Sequence, residues 1–90
     1  MNSEIKQNGA SENALVLKHL VKNSLEQFLN DLDDQQVGDL YDLLMEQVEP
    51  PLLQTVMQRE GQNQTRAAQI LGLSRTTLRK KLVYYGLLQS

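Results

Sequence analysis

Ninety residues with no cysteine and one histidine exclude disulfides, thiolate metal sites and a histidine metal cluster, and they allow one small domain with a modest core. No apolar run approaches ~18 residues, so no membrane span is expected, and the opening MNSEIKQNGASENA lacks the basic and apolar blocks of a secretory signal. The formal net charge of −2 hides a division: residues 1–60 carry four basic side chains against eleven acids, a balance of −7, whereas residues 61–90 carry five basic side chains and no acid, a balance of +5.

A cationic end on an acidic body is the electrostatic footprint of a chain that meets a polyanion at one end only. With no export signal, the expected location is the cytoplasm. Residues 1–13 are polar and small and read as a flexible N-terminal arm. Asn8-Gly9 is a hairpin-type dipeptide, but its flanks are short and alternate poorly.

The first helix is expected from about Ala14 to Leu32. Leu17, Val21, Leu25, Phe28 and Leu32 recur at steps of three and four and share a face, which Leu20 and Leu29 widen. Lys18, Lys22 and Glu26 form a solvated charged stripe, and His19 reads as a surface or boundary residue. Asp31 to Asp39 is an acidic break that ends in N-cap groups for the next helix. Its aspartates lack the spacing and closing glutamate of a calcium loop.

The second helix is expected from about Asp39 to Arg59. Leu40, Tyr41, Leu43, Leu44, Met45, Val48, Leu52, Leu53, Val56 and Met57 are too many for one face. The economical cover is a second copy of the chain, so residues 14–60 are expected to form a two-fold dimer core. Leu25 and Phe28, with Leu40, Tyr41, Leu44 and Val48, are its expected interface. Pro50-Pro51 falls inside this helix and should kink or split it, sending one apolar half into the dimer and the other toward the C-terminal region.

Residues 61–90 read as a helix-turn-helix. Gly61 ends the second helix, Asn63 caps a helix over about Gln64–Leu71, and Gly72-Leu73 makes the turn. Ser74 then caps a last helix, about Arg75–Tyr84. In the third helix Ala67, Ala68, Ile70 and Leu71 are expected to pack, the alanines allowing close approach. In the fourth, Leu78 and Leu82 form the inward stripe, with Tyr85 nearby. Periodicity alone places Thr76 and Lys80 outermost. Leu87 to Ser90 reads as a short tail.

The string GQNQTRAAQILGLSRTTLRKKLVYYG closely resembles the C-terminal region of the Fis family, bacterial nucleoid proteins named for a factor for inversion stimulation. VGDLYDLLMEQVEPPLLQTVMQ looks like the dimerisation helix of that family with its internal proline, so the likeness covers about Val16 to Gly86. The C-terminal domains of bacterial enhancer-binding activators resemble it too, but these follow an ATPase module whose GxxxxGK[ST] loop is absent here.

The resemblance implies an all-α, four-helix subunit with a C-terminal helix-turn-helix, intertwined as a homodimer through its first two helices. It implies binding and bending of double-stranded DNA, in transcription regulation, nucleoid organisation and site-specific recombination. No cofactor or metal is implied, and RNA polymerase or a recombinase are further partners. By resemblance, Asn63 and Thr65 touch phosphates, Arg75 reaches a guanine edge with Ser74 beside it, and Thr77, Arg79, Lys80 and Lys81 hold the backbone. Arg66 and Thr76 complete the expected DNA-facing set.

Three departures stand out. Ser74 replaces an asparagine common in the family, and Val83 and Tyr84 stand where lysines are often found. The N-terminal segment is shorter and unlike the family's β-hairpin arms. Competing readings are a bundle with a merely solvated basic face, the detached DNA-binding domain of an enhancer-binding activator, and a helical protein–protein adaptor. No paired acid and base, nucleophile or phosphate loop points to an enzyme.

Overall fold

A computed structural model describes residues 8–32 and 38–88 of the chain. The described residues form four α-helices and no strand: α1 Asn8–Leu32, α2 Leu40–Arg59, α3 Gln64–Leu71 and α4 Arg75–Tyr84. They fall into two units, α1 in one and α2 to α4 in the other.

Helix α1 starts six residues ahead of the expected Ala14, so residues 8–13, read as part of a loose arm, are helical and the Asn8-Gly9 hairpin does not form. Once the Leu17–Leu32 face nucleates a helix, adding turns costs no new nucleation, and Ala10 and Glu12 are good helix formers. The rest of the arm, and Asp33 and Asp34 of the acidic break, lie outside the described residues. The charged stripe is solvated, with Lys22 Nζ donating to Glu26 Oε2 at 2.8 Å. Leu15, Val16, Leu17, Leu20, Val21 and Leu29 are 42–60% exposed, an apolar display that a lone helix in water does not favour.

Helix α2 starts at Leu40, with Asp39 at the cap position, although the Asp39 carboxylate makes no cap bond. The helix continues through Pro50 and Pro51 to Arg59, so of the two expected outcomes, a kink or a split, the split does not occur. Its second half supplies Leu53 and Met57 to the core of the C-terminal unit, joined by Ala67, Ala68, Leu78 and Leu82. Six side chains are a small core, and Val56, Leu71, Leu73, Tyr85, Leu87 and Leu88 pack around it. Leu87 and Leu88 therefore belong to the fold rather than to a tail, and the Leu87 N–H donates to the Leu82 carbonyl at 2.8 Å.

The α2–α3 link is tight. Gly61 and Gln62 both take left-handed backbone angles, φ +63° and +66°, the first easy for glycine and the second unusual for a side chain. The Gln62 N–H donates to the Met57 carbonyl at 2.8 Å, which satisfies an orphan acceptor at the end of α2.

Candidate nucleic-acid interface

Helices α3 and α4 take the bounds expected for a helix-turn-helix, and each has its cap. Asn63 Oδ1 accepts from the Arg66 N–H at 3.1 Å and starts α3. Gly72, at φ +75°, ends it, returning its N–H to the Ala68 and Gln69 carbonyls. Two residues later Ser74 Oγ accepts from the Thr77 N–H at 3.0 Å and donates to Thr77 Oγ1 at 3.0 Å. The turn therefore spans only Gly72 and Leu73 before the cap, which fixes where α4 points.

Packing decides which faces remain free. Ala67 (0% exposed) and Ala68 (4%) form the contact surface of α3, where small side chains let the helices approach closely. Ile70, expected inside, is 58% exposed, because Ala67, Ala68 and Leu71 define the inward face and Ile70 falls on its flank. On α4, Leu78 (0%) and Leu82 (1%) are inward as the spacing predicted.

The opposite side of α4 is wet and cationic. Arg75, Thr76, Thr77, Arg79 and Lys80 are all exposed. Thr76, Arg79, Lys80, Val83 and Tyr84 line an open concavity of about 500 Å³. Arg75, Arg79 and Lys80 have no ion-pair partner among the described residues. Asn63, Thr65 and Arg66 are exposed at the start of α3, where free N–H groups and the helix dipole favour an anion. Arg66 Nε meanwhile pairs with Glu60 Oε1 at 3.0 Å, and the arginine stays two-thirds exposed.

Lys81 behaves differently from its neighbours. Its Nζ donates to Glu49 Oε2 at 3.0 Å and Oε1 at 3.3 Å, across 32 residues of sequence. The Tyr85 hydroxyl donates to the same carboxylate, and the Tyr84 hydroxyl donates to Glu46 Oε2 at 3.0 Å. The two tyrosine rings meet edge to face, with centroids 4.9 Å apart. The Tyr85 hydrogen bond, aided by Lys81, holds the Glu49 carboxyl below its ordinary range. The same bond, with some burial, pushes the Tyr85 phenol up to about 12, and Glu46 raises Tyr84 in the same way. Sequence spacing shows Lys81 and Tyr85 one turn apart but cannot pair them with an acid on another helix, so Glu46 and Glu49 were not foreseen.

Of the expected dimer residues, Leu25, Phe28, Leu40 and Leu44 are half-buried, while Tyr41 (73%) and Val48 (47%) are exposed. No group of acids and histidine among the described residues could hold a metal ion. No helix among them is long and apolar enough to cross a membrane.

A short helix, a left-handed glycine turn and a second capped helix with an apolar back and a cationic front define a helix-turn-helix protein. Residues 44–85 match the family described as "Bacterial regulatory protein, Fis family". The chain is 52% identical over 71 residues to the "DNA-binding protein Fis" of Photobacterium profundum, covering 79% of this chain and 72% of that protein. The proteins of the same name from Histophilus somni and Haemophilus influenzae are each 51% identical over the same shares. The chain belongs to the Fis family.

Proposed function

We propose that this chain is a DNA-binding regulatory protein of the Fis type, acting as a homodimer that bends its site. The observation that carries the reading is the outer face of α4, where Arg75, Arg79 and Lys80 stand exposed and unpaired among the described residues on a helix held by a buried stripe and a serine cap. The names of its relatives support the same reading. It is a reading of a binding protein, not of an enzyme.

Affinity comes first from phosphate neutralisation and falls with salt. Arg75, at the N-terminal tip of α4, has the reach for two hydrogen bonds to one guanine, a contact discriminating by about 1–3 kcal/mol. Asn63 and Thr65 at the start of α3 and Thr77, Arg79 and Lys80 on α4 serve the backbone, with Ser74 and Thr76 beside the reading position and Arg66 adding charge.

Dimerisation is supported separately by the apolar face of α1 and by exposed Tyr41 and Val48 on α2, which a second copy would cover. Residues 14–60 thus form the dimer region and residues 61–90 the DNA-binding region. Two-fold pairing sets two recognition helices on one side of a duplex, and a separation below the ~34 Å helical repeat bends the DNA. Bending is the means by which such a dimer acts on transcription and chromosome packing in the nucleoid, and through partners such as RNA polymerase or a recombinase.

The test combines solution mass with circular-permutation gel shifts on duplex DNA. A dimer whose complex migrates according to the position of the site is expected. A chain that stays monomeric at micromolar concentration, or that ignores duplex DNA at low salt, refutes the reading.

A further inference from the structure

Four side-chain hydrogen bonds fasten the last turn of α4 to α2: two from Lys81 and one from Tyr85 to Glu49, and one from Tyr84 to Glu46. The two glutamates lie three residues apart on one face of α2, so they present a short acidic ridge to a single turn of α4. Glu49 precedes Pro50, a position that ordinarily disfavours helical angles, yet it is held in the helix. The Lys81 and Glu49 side chains are 34% and 26% exposed, less solvated than the other two ion pairs on their most open sides. Water and salt therefore screen this pair less than a surface pair.

Resting on the DNA-binding reading above, we propose that Glu46 and Glu49 clamp the end of α4, that Lys81 is a positioning residue held by this clamp and not a phosphate ligand, and that the phosphate-contacting part of α4 ends at Lys80. The Glu49 carboxylate occupies the Lys81 ammonium as a phosphate would. Beyond Lys81 the helix offers Val83, which carries no charge, and Tyr84, whose hydroxyl is engaged by Glu46. The working stretch Arg75–Lys80 is then only about 7.5 Å long at the helical rise of 1.5 Å per residue. Its pitch on the duplex is set from behind by two acids that never touch DNA.

The test measures duplex affinity against salt for the full chain and for Lys81→Met, Glu49→Gln and the double variant, with thermal melts to verify folding. Glu49→Gln keeps the size and an acceptor for Tyr85 but removes the charge that holds Lys81. The clamp predicts that Lys81→Met keeps the wild-type log–log slope. It predicts that Glu49→Gln frees Lys81 for phosphate and steepens the slope by about 0.9 per subunit, and that the double variant returns to the wild-type slope. Between 50 and 200 mM salt each freed lysine adds roughly a 3.5-fold loss of affinity. A Lys81→Met slope flatter by about 0.9 per subunit, or a Glu49→Gln slope equal to wild type, overturns the clamp. Wild-type protein that fails to bind duplex DNA overturns the DNA-binding reading instead, so the two failures are distinct.

Discussion

Gly72 offers a clean measure of how much the turn between α3 and α4 depends on backbone geometry. A Cβ built there meets no atom within 4 Å, and the same holds at Gly38, so Gly→Ala is sterically free at both positions. The two differ in backbone: Gly72 has φ +75°, whereas Gly38 does not lie in the left-handed region. Alanine lowers the entropy of the unfolded chain at either site, which stabilises by about 0.4–1 kcal/mol. Only at Gly72 does it also incur the left-handed penalty of about 1–2 kcal/mol. The shared entropy effect cancels in the comparison, so Gly72→Ala should be less stable than Gly38→Ala by about 1–2 kcal/mol. For a chain of this size that is a difference of about 4–8 °C in Tm per kcal/mol. Thermal and urea melts at one fixed protein concentration measure it, since association would shift both variants. Equal stability of the two variants would show that the turn does not hold Gly72 in its left-handed conformation.

Arg75→Ala should weaken binding to preferred sites more than to random duplex, and Lys80→Ala should weaken both alike, because one stands at the tip of α4 and the other on its outer face; competition binding against random DNA measures this, and equal losses for Arg75→Ala would remove it as the base reader. The depressed Glu49 carboxyl contributes stability that is fully present above its ordinary value of 4.5 and is lost as pH falls through the lowered value. Urea melts down to about pH 3 should show the wild type losing more stability than Glu49→Gln over that window. Tyr85 has the opposite sign: its contribution is present below pH 10 and is lost as pH rises through about 12, which ultraviolet absorbance of the phenolate follows.

The C-terminal half was legible because each of its features is local. Asn63 and Ser74 cap within three residues, Gly72 supplies a backbone angle that few residues tolerate, and Leu78 and Leu82 reveal their face by spacing alone. What sequence left hidden depends on how helices cross. The two glutamates of α2 reach α4 across 32 to 38 residues, and no periodicity reports such a pairing. Ile70 was misplaced because a helix of two turns gives too few positions to define an inward direction. Two consecutive prolines allow either a kink or a split in α2; the helix does not split, and its second half is anchored by Leu53 and Met57. Leu87 and Leu88 looked like a tail because nothing local signals that Gly86, at φ +73°, turns the chain back onto the core.

The core of the C-terminal unit draws every buried member from the continuous stretch between Leu53 and Leu82. Closing such contacts requires only short loops, and topologies of this kind form quickly. Assembly then acquires an order: contacts inside one C-terminal unit form in a first-order step, while any pairing of two chains must wait on their concentration.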